Sequence, residues 1–191
     1  MTSAPLDELE VKARVPDPAA VRRALELADA VLEFRGAMSD RRLDRAGVLH
    51  ARDEVLRLRT FQPADGAAAW GVLGWKGPHS ARGTYRHRQE IEARVADPAA
   101  VLTILELAGF AVSLEIDRTV EIYRLAGTVL RLEWYPEMDV LLEVEGDPAG
   151  IERAIAATGL PRESFLPESL DYFMAEYAAR TGTPARLGAA P

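Results

Sequence analysis

Several segments of this chain alternate between charged and apolar residues, and this alternation restricts the fold more than any other feature. Along residues 8–15, four charged side chains alternate with four apolar ones: Glu8, Glu10, Lys12 and Arg14 with Leu9, Val11, Ala13 and Val15. Successive side chains of a β-strand point to opposite faces of the sheet. The segment therefore predicts a strand with one charged face and one apolar face.

The same alternation returns in later segments, so the charged faces extend over a whole sheet. They are formed by Arg57 and Arg59 in residues 53–60; by Arg86, Arg88, Glu90, Glu92 and Arg94 in residues 84–95; by Arg131 and Glu133 in residues 129–134; and by Glu143 and Glu145 in residues 140–145. Two arrangements fit this pattern. Either an open sheet shows its charged face to water, or a barrel encloses the charged faces in its lumen.

The residues Glu8, Glu10 and Lys12 indicate a particular kind of ligand. Carboxylates two positions apart on a strand lie about 6–7 Å apart, so they can bind divalent cations, and the ammonium group beyond them can bind an accompanying anion. This spacing fits a polyphosphate bound with Mg²⁺ or Mn²⁺. A half-buried strand with a solvated charged face has the same pattern, so the interpretation depends on the other strands, which repeat it.

Lysine is rare in this chain, and its two positions are therefore informative. Only two of the 23 basic residues are lysines, Lys12 and Lys76. Lysine carries a compact, rotatable charge whereas arginine presents a wide planar fork, so a narrow phosphate or metal site can require lysine. Lys76 ends a predicted strand over residues 70–76. Both lysines are candidates for such a site, the alternative being chance in an arginine-rich chain.

The composition narrows the class of protein. A chain of 191 residues, 48% of them hydrophobic, is expected to form one domain over residues 1–180, followed by a disordered tail over residues 181–191. The absence of cysteine excludes disulfides and thiolate ligands, and a net charge of -7 argues against general nucleic-acid binding. No segment approaches the length of a membrane span, so we expect a cytoplasmic protein without a membrane partner.

Helices are predicted where an aspartate precedes a proline. Asp17-Pro18, Asp97-Pro98 and Asp147-Pro148 each combine an N-cap residue with proline at the first helical position. Each pair follows a segment that contains paired acids, so the chain repeats an acidic strand followed by a helix. A final amphipathic helix is predicted over residues 167–180.

Taken in order along the chain, these features resemble the motifs of the CYTH superfamily, also called the triphosphate tunnel metalloenzymes. The matching features are Glu8-Leu9-Glu10-Val11-Lys12 near the N-terminus, Arg57 with Arg59, Lys76 before Gly77-Pro78, Arg88-Gln89-Glu90-Ile91-Glu92, Arg118 in a late strand and Glu143-Val144-Glu145 in the last strand. The superfamily includes class IV adenylyl cyclases, thiamine triphosphatases and inorganic triphosphatases. The resemblance implies an α+β fold, an eight-stranded antiparallel β-barrel that forms a tunnel, with helices packed outside.

The resemblance also implies roles for individual residues. The phosphate-binding cations would be Lys12, Arg57, Arg59, Lys76, Arg88 and Arg118; the ligands of Mg²⁺ or Mn²⁺ would be Glu8, Glu10, Glu143 and Glu145; the remaining tunnel wall would be formed by Glu90, Glu92, Arg131 and Tyr172. Lys12, Lys76 and Glu133 would take part in catalysis. The substrate would be a small molecule such as tripolyphosphate, ATP or thiamine triphosphate, and the resemblance allows a homodimer.

Three positions depart from the superfamily pattern and bear on the reaction. Ile116 and Asp117 precede Arg118 where cyclase-like members have a lysine, Glu133 replaces an aspartate, and Arg42 stands where a tyrosine is common. The missing lysine favours a triphosphatase over an adenylyl cyclase, which would release cyclic AMP and pyrophosphate. The third hypothesis is a module that binds polyphosphate or a nucleotide without catalysis. The retained acids disfavour it, because phosphate binding needs only the cations.

Overall fold

Strands dominate the structure, a computed structural model that describes residues 6–188. The strands are β1 (Leu6–Arg14), β2 (Val31–Asp44), β3 (Val55–Pro63), β4 (Trp70–Lys76), β5 (Ser80–Arg82), β6 (Tyr85–Val95), β7 (Ala111–Leu125), β8 (Thr128–Trp134) and β9 (Leu141–Glu145). The helices are α1 (Pro18–Leu27), α2 (Val48–Ala51), α3 (Pro98–Leu107), α4 (Pro148–Thr158) and α5 (Leu170–Thr181). Residues 1–5 and 189–191, which the prediction included in the domain and the tail, lie outside the described residues.

The strands form one closed antiparallel barrel. They follow the order β1-β9-β8-β7-β2-β3-β4-β6, and β6 pairs back with β1, so the circuit closes on itself. The short strand β5 pairs with the start of β6, and β4 pairs with the later residues of β6 on the same edge. β4 and β5 therefore share one strand position of the barrel. The barrel therefore has eight strand positions. This confirms the predicted fold and selects the barrel from the two arrangements that the alternation allowed.

The apolar faces of the strands lie outside the barrel, under helices α1 and α4. Val11, Leu130 and Val144, on β1, β8 and β9, are fully buried in one apolar cluster with Leu25 of α1 and Ile151 of α4. Burial of each such side chain stabilises the fold by about 1.5–3 kcal/mol. Because neighbouring residues of a strand face opposite ways, this packing turns the charged residues of the same strands into the lumen.

The aspartate-proline pairs begin helices as predicted. The carboxylates of Asp17, Asp97 and Asp147 accept hydrogen bonds from the backbone N–H groups three residues later, at 3.0, 2.9 and 2.9 Å. The last helix begins at Leu170 instead of residue 167, and the short elements α2 and β5 were not predicted. Among the described residues, no helix is long and apolar enough to cross a membrane.

Part of the predicted tail contacts the rest of the domain. The N–H of Asp117 donates to the carbonyl of Leu187 at 2.7 Å, and Arg186 exchanges backbone hydrogen bonds with Glu137. The side chain of Leu187 is only 6% exposed and packs in an apolar cluster with Tyr135 and Phe173. Within the predicted tail of residues 181–191, Arg186 and Leu187 thus have partners on the rest of the domain.

Replacement of Leu187 by alanine is expected to lower the free energy of unfolding by about 2–4 kcal/mol, because it removes a buried side chain and leaves a cavity. Urea unfolding measures the change. The matched control is Leu107→Ala on α3, where the side chain is 84% exposed and the expected change is within about 0.5 kcal/mol. Equal effects of the two substitutions would contradict the packing of the tail.

Candidate functional site

The lumen of the barrel opens into a cavity at each end. The cavity of about 470 Å³ at one end, which we call the near cavity, is lined by five of the six predicted phosphate-binding cations: Lys12, Arg57, Lys76, Arg88 and Arg118. The cavity of about 610 Å³ at the other end, the far cavity, is lined by the sixth, Arg59. Arg131 lines both cavities. The structure thus brings most of the predicted cations together and separates Arg59 from Arg57.

The charged side chains of the lumen are almost fully buried. Lys12, Arg57, Lys76, Arg118 and Glu143 are between 6% and 9% exposed. A buried ion is unfavourable by several kcal/mol unless another charge or a hydrogen-bonding group compensates it. Each of these ions therefore depends on its neighbours in the lumen or on a bound ligand.

One side of the lumen forms an arginine wall, which we define as Arg42, Arg57, Arg59 and Arg118 around the single carboxylate of Asp40. Strand β2 pairs with β3 on one side and with β7 on the other, so Asp40 lies between the arginines of both neighbours. Its carboxylate is 3.9 Å from the guanidinium of Arg57 and 3.8 Å from that of Arg118. Both distances exceed that of a hydrogen bond. Three of the arginines also have a closer carboxylate partner. Arg57 donates to Glu90 at 2.9 Å, Arg59 donates to Glu92, and Arg118 lies 3.1 Å from Glu133.

The arginine wall also holds polar atoms without hydrogen-bond partners. Six buried polar side-chain atoms of the described residues have no partner, and all belong to this wall: Oδ1 of Asp40, Nε of Arg42, Arg57, Arg59 and Arg118, and one terminal nitrogen of Arg118. A buried unsatisfied polar group is unfavourable by about 1–3 kcal/mol, and folded proteins contain few of them. Their concentration on one wall indicates a surface built for an anionic ligand.

The pKa values differ among the arginines of the wall. Burial would lower the pKa of Arg57 and of Arg118, but neighbouring carboxylates, above all Asp40 for Arg57 and Glu133 for Arg118, raise both. Burial alone would raise the pKa of Asp40, but Arg57 and Arg118 hold it below its usual value. Burial lowers the pKa of Arg59, and repulsion by Arg57 lowers it further. The pKa of Arg42 is lowered chiefly by burial. An anion bound at this wall would relieve both the desolvation and the repulsion.

The lumen also holds an acidic cluster, which we define as Glu8, Glu90 and Glu145, and which contacts the arginine wall through a hydrogen bond of 2.9 Å from Arg57 to Glu90. Each offers a carboxylate oxygen, and the three oxygens lie within 4.8 Å of one another. Burial, together with repulsion by Glu8 and Glu143, raises the pKa of Glu145 to about 8. An all-carboxylate set suits Mg²⁺ and Mn²⁺, and a divalent cation would relieve the repulsion. The residues present therefore fit a divalent metal ion.

The two lysines neutralise different carboxylates. The ammonium group of Lys76 lies 2.6 Å from Oε1 of Glu8 and 3.5 Å from Glu90, so it contacts the acidic cluster. That of Lys12 lies 2.8 Å from both Glu10 and Glu143. The four predicted metal ligands are thus divided. Glu8 and Glu145 belong to the acidic cluster, whereas Glu10 and Glu143 pair with Lys12.

The ion pairs that Lys12 forms with Glu10 and Glu143 keep its ammonium group charged. Burial favours the neutral amine, but Glu10 and Glu143 together raise the pKa of Lys12 above its usual value. The same neighbourhood holds the pKa of Glu143 well below its usual range, since Arg131 and Lys12 outweigh the effect of burial. Lys12 and Glu143 are therefore a charged pair at any physiological pH.

Glu133, a predicted catalytic residue, lies between the two sides of the lumen. It is 2% exposed, accepts a hydrogen bond from Nε of Arg131 at 2.8 Å, and lies 3.1 Å from Nε of Arg118. The hydroxyl of Tyr135 also donates to it. Burial would raise the pKa of Glu133, but Arg118 and Arg131 lower it. Glu133 is thus a charged carboxylate that orients two arginines.

The contacts of Arg88 and Tyr172 lie away from the ion pairs of the lumen. The guanidinium of Arg88 donates to the carbonyls of Asp53 and Gly77 at 2.9 and 2.6 Å and to the carboxylate of Asp53 at 2.7 Å, so it holds two loops at the mouth of the near cavity. Tyr172 is 38% exposed and packs edge-on against Phe173. Its neighbour Ser169 lines the near cavity.

Two lumen residues were not among the predicted site residues. Asp40 and Arg42 lie on β2, whose lumen face mixes Met38 and Gly36 with charges and so lacks a regular alternation. The sequence signal that could have identified Asp40 and Arg42 is their spacing of two residues, which places both on one face of the strand. A third residue, Asp53, lies at the mouth of the near cavity, where His79 and Arg88 bind it and its pKa falls to about 2 despite partial burial.

Replacement of Glu145 by glutamine is expected to remove a pH dependence of stability. The pKa of the folded carboxyl is raised from 4.5 to about 8, so its proton stabilises the fold below pH 4.5, and that contribution is lost as pH rises to about 8. Wild-type protein without divalent metal should therefore lose stability over this range, and the variant should lose less. Thermal unfolding between these pH values measures it. Parallel curves of melting temperature against pH for the wild type and the variant would contradict the raised pKa of Glu145.

Comparisons with known structures agree with this architecture. No protein-family model and no curated protein matches the sequence. A candidate adenylate cyclase of Vibrio parahaemolyticus has 19% identity and a TM-score of 0.72 over 88% of this chain and 97% of that one. The PH1012 protein of Pyrococcus horikoshii has 20% identity and a TM-score of 0.67 over 87% and 98%. HpAC1 of Hippeastrum, a candidate adenylyl cyclase with a dominant triphosphatase activity, has 19% identity and a TM-score of 0.61 over 92% of this chain and 96% of that one.

A closed barrel of eight strand positions with buried charges of both signs in its lumen defines a tunnel protein. The structural similarities, at 19–20% identity, establish the fold. The chain has the fold of the CYTH superfamily, as the sequence resemblance predicted.

Proposed function

We propose that this protein is a metal-dependent triphosphatase that binds its substrate in the near cavity. The arginine wall carries the proposal. Three of its guanidinium groups, those of Arg42, Arg57 and Arg118, line this cavity beside Asp40, and each has a buried N–H group without a hydrogen-bond partner that an oligophosphate could accept. Arginine suits this role because its planar fork donates two hydrogen bonds to one phosphoryl group.

The acidic cluster supports the metal dependence. Its three carboxylates, Glu8, Glu90 and Glu145, lie on β1, β6 and β9. Glu90 accepts a hydrogen bond from Arg57 of the arginine wall at 2.9 Å, and Glu145 lines the far cavity. A bound Mg²⁺ or Mn²⁺ would supply positive charge to the oxygens that attack and leave phosphorus. A protein that only held phosphate would not need this cluster, since cations alone suffice for that purpose.

The residues of the chain have distinct roles in the proposed reaction. Arg57 and Arg118 bind and orient the phosphoryl oxygens and stabilise the charge that develops on them. Glu133 holds Arg118 and Arg131 in position, and Lys12 is held in position by Glu10 and Glu143. Water attacks the terminal phosphorus, the bond to the bridging oxygen breaks, and orthophosphate and pyrophosphate are the products of tripolyphosphate.

The lining of the near cavity favours hydrolysis over cyclisation. An adenylyl cyclase has to hold a purine, and purines stack on exposed ring faces. Tyr135 is the buried aromatic side chain of this lining; its hydroxyl is bound to Glu133 and the guanidinium of Arg118 covers its ring at 5.7 Å. The two candidate positions for the lysine of cyclase-like members, just before Arg118, hold Ile116 and Asp117, and neither is a cation.

Product analysis by phosphorus NMR tests the proposed function. The protein is incubated separately with tripolyphosphate, ATP and thiamine triphosphate, with Mg²⁺ or Mn²⁺, beside an Arg57→Gln variant and the surface control Arg162→Gln. We expect orthophosphate release that depends on metal, is lost in the first variant and persists in the second. Cyclic AMP with pyrophosphate from ATP would establish a cyclase instead. Binding of tripolyphosphate without turnover of any of the three would establish a binding module.

A further inference from the structure

The far cavity is a second charged chamber at the other end of the lumen. Its lining contains arginines, carboxylates and aromatic residues: Arg35, Arg59, Arg94, Arg124 and Arg131; Glu33, Asp65, Glu92 and Glu145; and Phe34, Phe61 and Trp70. Arg131 also lines the near cavity and pairs with Glu133 and Glu143, so this ion-paired arginine separates the two chambers. The proposed triphosphatase activity uses the near cavity and leaves the far cavity without a role.

Arg59 is the least compensated buried cation of the far cavity. It is 6% exposed, and its Nε has no hydrogen-bond partner. Glu92 is the carboxylate with which it pairs, and that same carboxylate oxygen also lies 3.4 Å from Arg57. Burial and the repulsion of Arg57 and Arg131 lower the pKa of Arg59. The guanidinium of Arg59 therefore lacks its full complement of negative charge.

Arg94 adds a second cation on the same face. The pairing of β3, β4 and β6 places Arg59, Val72 and Arg94 in one row across the three strands. Strands lie about 4.8 Å apart, so the Cα atoms of the two arginines are about 10 Å apart, and their long side chains can contact one small anion between them. Within residues 6–188, Arg94 has no ion-pair partner; its guanidinium lies 4.5 Å above the ring of Trp70.

Two of the three aromatic residues of the far cavity, Phe61 and Trp70, do not offer a free ring face. Phe61 and Trp70 stack on each other with centroids 4.2 Å apart. The guanidinium of Arg59 lies 6.0 Å from the centroid of Phe61, and that of Arg94 covers Trp70. A planar organic group would have to displace these contacts, whereas a small tetrahedral anion would not. The rings instead hold the two arginines in position.

We infer that the far cavity is a second oxyanion site, in which Arg59 and Arg94 bind a phosphoryl group separate from the triphosphate of the near cavity. The group is either a free orthophosphate or the end of a polyphosphate longer than three units that passes Arg131. Both sources present the same tetrahedral oxyanion. The site goes beyond the proposed function and does not depend on hydrolysis.

Calorimetric titration with orthophosphate tests the second site. The protein is first saturated with imidotriphosphate, a non-hydrolysable triphosphate, so that the near cavity is filled. We expect one more orthophosphate to bind per chain, and Arg94→Gln to weaken its binding about tenfold or more, the effect of losing one hydrogen bond to a charged group. Arg59→Gln should weaken it as well. Arg94 is exposed, so its replacement leaves the fold intact.

A matched control is available in the same cavity. Arg124 also lines it, but its Nε is taken up by Glu33 at 2.6 Å, so Arg124→Gln should leave orthophosphate binding unchanged. In a second arm, tripolyphosphate and tetrapolyphosphate are titrated into wild type and Arg94→Gln. Selective weakening of tetrapolyphosphate identifies the chain end as the source of the phosphoryl group, and weakening of orthophosphate alone identifies the free ion.

The inference is overturned if Arg94→Gln changes the affinity for neither ligand, or if Arg124→Gln has the same effect as Arg94→Gln. Its failure is distinguishable from that of the proposed function. If imidotriphosphate does not bind at all, the proposed function fails, and orthophosphate titration of the free protein with the same two variants still decides the second site.

Discussion

Replacement of Arg118 by glutamine is expected to lower kcat/KM for tripolyphosphate by about 100- to 1000-fold, the range seen when one preorganised donor to a developing negative charge is removed. Arg118 is 8% exposed; its Nε lies 3.1 Å from Glu133, and one of its terminal nitrogens has no hydrogen-bond partner. Steady-state kinetics with tripolyphosphate and Mg²⁺ measure the change. A fall mainly in kcat would place its interaction in the transition state, and a rise mainly in KM would place it in substrate binding.

Arg180→Gln is the matched control for this experiment. Arg180 is an arginine paired with Asp139 on the outside of the protein, far from the lumen charges, and its side chain is 47% exposed. Exposed ion pairs contribute about 0–1 kcal/mol, so the control should be active and folded. An Arg118→Gln protein that unfolds cooperatively and retains full activity would refute the role of the arginine wall.

We expect the second large effect from replacement of Glu8 by glutamine. Glu8 is a member of the acidic cluster and the nearest partner of Lys76, and it is 7% exposed. Its loss should abolish the stimulation of hydrolysis by Mg²⁺ or Mn²⁺, because a carboxylate ligand is removed. Breaking a buried ion pair on one side should also lower the free energy of unfolding by about 3–5 kcal/mol. Metal titration of activity and urea unfolding measure the two effects.

Glu152→Gln serves as the control for the Glu8 variant. Glu152 is an exposed glutamate that accepts hydrogen bonds from Arg162 and Tyr85 on the outer surface. It should retain both the metal response and most of the stability. An unchanged metal dependence in the Glu8→Gln protein would remove the acidic cluster from the proposed reaction and leave the phosphate-binding wall to be tested separately.

The positions of the strands could be predicted closely from the alternation of charged and apolar residues, because a two-residue period is a local property of the chain. The predicted strand at residues 70–76 coincides with β4, and the one at residues 84–95 differs from β6 by a single residue. The aspartate caps were equally local, since each bonds a backbone N–H three residues on. These features need no knowledge of which strands become neighbours.

The composition of the site depended on neighbours that the local pattern does not contain. Glu90 joins Glu8 and Glu145 only because β1 pairs with both β6 and β9. The same topology leaves Glu10 and Glu143 with Lys12 instead of in the acidic cluster. Arg57 and Arg59 were expected to act together because they share a strand face. Because Arg59 lies two residues further along β3 than Arg57, the two side chains line different cavities.

The pairing of β1 has a consequence for how the protein is made. The first strand is the seam of the barrel, since it joins β6 on one side and β9, the last strand of the barrel, on the other. Pairs so distant in sequence form late and slow the folding of a chain. On the ribosome, the seam stays open until β9 has been synthesised. The ion pairs that Glu143 of β9 makes with Lys12 and Arg131 therefore form only at that last step.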